Sequence, residues 1–170
     1  MLIKESELNS IKENKVTLIT KFASLKNNYD FNFISNILEE DEIYTVQKTK
    51  FGNLKDVFQV LKVNESVKEC QLYLDFFKKL LRYNQDEKDG VDLFFSLVSQ
   101  VGLTHIDKED VFIIGLKGRS IYRVFDVETI DYEINKNDLI FIPRGIKHKV
   151  IGMTPRIIMS VGFYGRRLNG

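Results

Sequence analysis

The sequence has little cysteine, proline or histidine and no tryptophan, and each shortage narrows what the chain can be. The single cysteine, Cys70, excludes an intrachain disulfide framework. It falls within an apolar helical pattern, which marks it as a small buried hydrophobe more than a reactive thiol. The only prolines are Pro143 and Pro155, and no Pro/Gly-rich linker, repeat or low-complexity segment interrupts the 170 residues. One domain over 1–170 is therefore expected. No run of about 18 apolar residues is present, so no membrane-crossing helix is expected. Met1 to Asn14 is polar and mixed in charge, without the apolar centre of a signal peptide, and a soluble cytoplasmic protein is expected. Charge of one sign is also lacking. With 25 basic and 24 acidic residues spread along the chain, the net charge is +1, and neither nucleic acid nor membrane is expected as a partner on bulk charge.

What is abundant is apolar and aromatic surface: 44% of residues are hydrophobic, with 13 Phe and 7 Tyr, enough to build a globular core. The first half, 1–91, reads as an α+β wrapper. Val16 to Thr20 and Glu42 to Lys48 read as strands, and Phe31 to Leu38 as a short helix after Asp30. The clearest helix is Val67 to Arg82, where Val67, Cys70, Leu74, Phe77 and Leu81 make one apolar face and Ser66 with Glu69 resembles a capping box. Asn84 to Gly90 reads as a solvated loop. From Asp92 the period changes to that of strands: Leu93–Val101, Asp110–Leu116, Ser120–Phe125, Thr129–Ile134, Leu139–Ile142, His148–Ile151 and Arg156–Phe163, punctuated by turn residues such as Gly118 and Gly145. Closely spaced short strands predict a mainly β sandwich or barrel over 92–163. The Arg166-Arg167 pair reads as a solvated tail.

Interior-facing polar residues of such a barrel carry information. One of the two histidines stands in His105-Ile106-Asp107, and the other, His148, lies 43 residues on. In an extended segment His105 and Asp107 point to the same side, and a distant strand must supply a third ligand. Two imidazoles and one carboxylate on one face suit non-haem Fe(II) with open coordination positions. The pattern alone also admits two unrelated histidines.

The stretch from Gly102 to Arg119, Gly102-Leu103-Thr104-His105-Ile106-Asp107-Lys108-Glu109-Asp110-Val111-Phe112 and onward through Gly118, resembles the metal-binding segment of the JmjC-type 2-oxoglutarate oxygenases. The branch that hydroxylates ribosomal proteins is the most similar. Asn137 to Gly145 followed by His148 resembles that family's second ligand segment, and Ser160-Val161-Gly162-Phe163 its last barrel strand. The resemblance covers roughly Asp92 to Phe163 and only loosely Lys15 to Leu38. It implies a double-stranded β-helix of the cupin type, with His105, Asp107 and His148 as Fe(II) ligands, 2-oxoglutarate as cosubstrate, and hydroxylation as the reaction. A carboxylate at Asp107, where a small residue would open a site for halide, favours hydroxylation over halogenation.

One departure concerns the cosubstrate. In the family a lysine or arginine two residues after the turn glycine anchors the distal carboxylate of 2-oxoglutarate, and Ser120 stands there. A hydroxyl cannot provide charge-assisted bidentate pairing. Arg119, Arg123 and Arg156 are the candidate substitutes. Arg156 shares a strand face with Ser160, and other 2-oxoglutarate oxygenases place the anchor on this strand; Arg123 has the parity of an outward residue. Tyr122 and Thr104 are candidate secondary hydrogen-bonding groups.

The family's ribosomal enzymes carry dimerisation and winged-helix regions after the barrel, whereas this sequence ends at Gly170. The expected substrate is accordingly a free amino acid, a peptide or a related small metabolite, and a homodimer is compatible with the sequence. Two alternatives stay open: a metal-dependent cupin dioxygenase or isomerase that does not use 2-oxoglutarate, and a non-catalytic cupin that binds a metal or ligand.

Overall fold

A computed structural model describes residues 3–24, 29–40, 43–45, 57–60, 68–97, 99 and 101–168. The wrapper begins with α1 (Glu5–Lys12), where the Glu7 carboxylate accepts from the Lys4 backbone N–H at 2.7 Å and Lys12 sits in the last turn, both complementing the helix dipole. Strand β1 (Thr17–Ile19) follows. In α2 (Phe31–Glu40) the Asp30 carboxylate caps the first turn by accepting from Phe33 N–H at 2.9 Å. Two short strands, β2 (Ile43–Thr45) and β3 (Val57–Val60), precede α3 (Lys68–Leu81). The expected capping box at Ser66 and the ends of the Glu42–Lys48 strand lie outside the described residues. Helix α3 buries Cys70, Tyr73, Leu74, Phe77 and Leu81 on one face, as its spacing predicts, and ends at Arg82, whose φ of 53° cannot continue the helix.

The remaining strands are β4 (Gly90–Ser96), β5 (His105–Ile106), β6 (Asp110–Lys117), β7 (Ser120–Phe125), β8 (Thr129–Ile134), β9 (Leu139–Ile142), β10 (Lys147–Gly152) and β11 (Arg156–Phe163). They form a seven-stranded sheet in the order β1-β9-β6-β11-β4-β3-β2 and a four-stranded sheet in the order β5-β10-β7-β8. All described pairings are antiparallel. The expected first barrel strand is shorter at its far end: β4 stops at Ser96, and Val101 makes only an isolated bridge to Ile151.

β6 is buried on both faces, which explains its nearly unbroken apolar run. Phe112, Ile114 and Leu116 face the wrapper, where Phe77 of α3 stacks on Phe112 with ring centroids 4.2 Å apart. Val111 and Ile113 face the other way, toward Tyr122, Ile134, Ile140 and Ile142 between the two sheets. Gly118 turns β6 into β7 at φ 74°, and a Cβ there would lie 2.1 Å from the Pro155 carbonyl oxygen. No helix among the described residues is long and apolar enough to cross a membrane.

Two readings of polar segments need correction. The Asn84–Gly90 loop is not simply solvated: the Asp89 side chain is buried and accepts from the Tyr164 and Gly165 N–H groups at 2.9 and 3.3 Å. Arg167 is likewise not a solvated tail residue. Its guanidinium donates to the Ile11 carbonyl at the end of α1 and lies 3.5 Å from Asp110. Buried backbone donors and acceptors without partners are costly, and this explains why both charges are drawn inward, Asp89 to N–H donors and Arg167 to a carbonyl acceptor.

Candidate metal centre

His105 and His148 are direct register partners across β5 and β10, which places two imidazoles side by side on one face of the smaller sheet. Their ring centroids are 4.4 Å apart. Asp107, two residues beyond His105, points to the same side. One carboxylate oxygen lies 3.7 Å from His105 Nε2 and the other 3.5 Å from His148 Nε2. One donor atom from each of the three residues falls within a 4.8 Å cluster.

The same local device orients both rings. His105 Nδ1 lies 2.9 Å from the Leu103 carbonyl oxygen, and His148 Nδ1 lies 3.0 Å from that of Ile146. A carbonyl only accepts, so each Nδ1 carries a proton, and each Nε2 is directed toward Asp107, where the neutral ring offers its lone pair to a metal. Burial, and then the neighbouring His105, hold His148 below the ordinary imidazole pKa, which favours the neutral form a metal needs. A backbone hydrogen bond also joins the two ligand segments: Gly145 N–H donates to the Asp107 carbonyl at 3.0 Å. Two fixed imidazoles and a carboxylate match the donor set of a divalent first-row metal at about 2.0–2.2 Å per bond.

The three groups open onto a cavity of about 110 Å³ between the sheets, which Tyr122, Arg156 and Ser160 also line. Arg156 is buried against Gly152; a Cβ on Gly152 would fall 1.5 Å from the Arg156 Nη1. Burial lowers the Arg156 pKa, and the nearby Tyr122 opposes that shift. The Tyr122 hydroxyl is pushed well above its usual range by burial. The carboxylates of Asp92 and Glu109 also line the cavity. Burial, and then Glu109, push the Tyr164 hydroxyl up to about 12.

Ser120 and Thr104 are not among the residues lining this cavity. Ser120 is buried in register with Gly152, and Thr104 is exposed, since it alternates with the inward His105. Arg123 points outward into a bidentate pair with Asp131 at 2.6 and 2.7 Å, and Arg119 is exposed beside Glu133. Sequence reasoning missed Asp92, Ser96, Glu109 and Gly152. Asp92 and Ser96 are register partners of Ser160 and Arg156, a relation that only strand pairing reveals.

No protein-family model and no curated protein matches the sequence. Solved structures do match. The Escherichia coli ribosomal oxygenase YcfD, in complex with cobalt and 2-oxoglutarate, is 22% identical over 91% of this chain and 49% of its own, with a TM-score of 0.66. An X-ray structure of E. coli YcfD is 20% identical over 99% of this chain and 54% of its own, at 0.72. An RmlC-like cupin from Shewanella frigidimarina is 11% identical over 75% of this chain and 87% of its own, at 0.51. The chain spans about half the length of the E. coli structures. These likenesses establish a cupin-type barrel, in the form found in the ribosomal oxygenase.

Proposed function

We propose that the chain is an Fe(II)- and 2-oxoglutarate-dependent oxygenase that hydroxylates an amino-acid side chain, a peptide or a related small metabolite. The observation that carries this reading is the His105–Asp107–His148 cluster, with both imidazoles oriented by backbone carbonyls, at the wall of a cavity containing a buried arginine. The YcfD complex with cobalt and 2-oxoglutarate supports it by analogy of fold. When bound, the iron would supply dioxygen activation coupled to oxidative decarboxylation. In the overall reaction 2-oxoglutarate, dioxygen and a substrate C–H become succinate, carbon dioxide and a C–OH.

The chain's own residues divide the remaining tasks. His105, Asp107 and His148 would hold the metal on one side and leave the cavity side for ligands. Arg156 would pair with the distal carboxylate of the cosubstrate. The charge absent at Ser120 is supplied from β11, because the Arg156 guanidinium occupies the space left by Gly152, the register partner of Ser120. Tyr122, raised in pKa and therefore protonated, is a hydrogen-bond donor in the same cavity. Val111, Ile113 and Ile158 form an apolar wall that limits water. Asp92 and Glu109 favour a substrate that carries positive charge near the reacting carbon.

The test is succinate formation from 2-oxoglutarate that requires Fe(II) and dioxygen and rises with basic amino acids or peptides. Turnover of dioxygen without 2-oxoglutarate consumption would instead favour the cupin dioxygenase that Ser120 suggests.

A further inference from the structure

A second cavity lies outside the metal site, where α1 and α3 end beside the chain that follows β11. It is a cleft of about 880 Å³, and Lys12, Arg82, Arg144, Arg166 and Arg167 line it around Asp110. These cations are scattered through the sequence, which is why a net charge of +1 conceals them. Among the described residues Asp110 is the only acid in the lining, and it is already committed. It is 2% exposed and accepts from the Tyr83 hydroxyl at 2.8 Å and from Arg144 N–H and Nε–H at 2.9 and 3.1 Å, with Arg167 beside it. The remaining Arg144 donors go to the Phe163, Tyr164 and Gly165 carbonyls. By contrast, Lys12, Arg82 and Arg166 are exposed, and their side chains have no ion pair among the described residues. The nearby Glu13 is paired with Lys15.

The plain alternative is that these cations only neutralise helix ends. Each of the two helix C-termini carries about half a negative charge. With Asp110 they balance two of the five cations, and about three positive charges remain. Of the three cations left uncommitted, Arg82 and Arg166 are arginines, whose planar forks match phosphate oxygens. The cleft falls within the ~300–1,000 Å³ of sites for larger ligands and is too large for one phosphate ion. Among the described residues no aromatic side chain lines it, so recognition rests on the phosphates and not on base stacking.

We infer that this cleft binds a chain of linked phosphates, either the backbone of a single-stranded nucleic acid or a free polyphosphate. The test uses the full chain, a fluorescently labelled oligouridine of about 12 nucleotides and inorganic tripolyphosphate as competitor, read by anisotropy at ~50 mM salt. Binding is expected that weakens as salt rises. The double variant Arg82→Glu/Arg166→Glu should weaken it about tenfold or more and flatten the salt dependence by roughly 1.4 in slope, with thermal stability unchanged. Arg119→Glu, in the turn before β7 and outside this cleft, should leave it nearly intact. Oligouridine that resists displacement identifies a nucleic-acid strand as the source; ready displacement by tripolyphosphate identifies the free polyphosphate. No binding of either probe, or equal weakening by Arg119→Glu, overturns the inference.

Discussion

The guanidinium of Arg156 occupies the space that a side chain at position 152 would fill, with Nη1 1.5 Å from where a Gly152 Cβ would stand. This places a buried cation beside the strand position paired with Ser120. Gly152 and Arg156 therefore act as one unit. Arg156→Ala should raise the 2-oxoglutarate KM by about 10–100-fold, since a hydrogen bond to a charged group contributes roughly 1.5–3 kcal/mol, while Fe(II) affinity stays the same. Gly152→Ala, though chemically mild, should shift the KM in the same direction by displacing the guanidinium. Succinate kinetics at varied 2-oxoglutarate check both. An unchanged KM in Arg156→Ala would move the anchor elsewhere.

Replacing His105, Asp107 or His148 with alanine should abolish tight binding of Fe(II) or its substitute Co(II), measured by anaerobic calorimetry. The melting temperature should change little, because the inter-sheet core that holds these strands is apolar and does not include the ligands. A variant that keeps wild-type metal affinity would remove that residue from the ligand set.

Asp110 ties the first ligand segment to the second through Arg144, and to the wrapper through Tyr83. Asp110→Ala leaves these donors without their buried acceptor and should destabilise the fold by about 3–5 kcal/mol in denaturant titration. Metal affinity should fall as well, because Gly145, which donates to the Asp107 carbonyl, adjoins Arg144. A loss below ~1 kcal/mol would show that the network is not needed for stability.

The acidic lining of the cavity makes a prediction about substrate charge. Glu109→Gln should lower kcat/KM for a basic substrate while leaving uncoupled 2-oxoglutarate turnover intact. Parallel assays of succinate and hydroxylated product separate the two. Loss of both activities together would assign Glu109 to cosubstrate binding or to the fold.

The His105–Asp107–His148 cluster was legible because the side-chain period of a strand puts His105 and Asp107 on one side, and because the chain has only one other histidine. The barrel strands from Asp110 onward were legible from short apolar runs between turn residues. Helix α1 was not, because its eight residues carry a single buried side chain, Ile11, and so lack an apolar stripe. Asp92 and Ser96 were hidden for a different reason: their neighbours in space come from register between distant strands. Arg167 and Asp89 read as solvated because charge in a polar segment usually is, and only the backbone groups they meet in three dimensions reverse that.

The central claim is tested most directly by titrating the Fe(II)-loaded protein with 2-oxoglutarate under anaerobic conditions and following the visible metal-to-ligand charge-transfer absorption. A band that grows and saturates is expected, and it should be lost in His148→Ala and need more 2-oxoglutarate in Arg156→Ala. Absence of the band in protein independently shown to hold Fe(II) would contradict the account and leave a metal cupin that does not chelate 2-oxoglutarate.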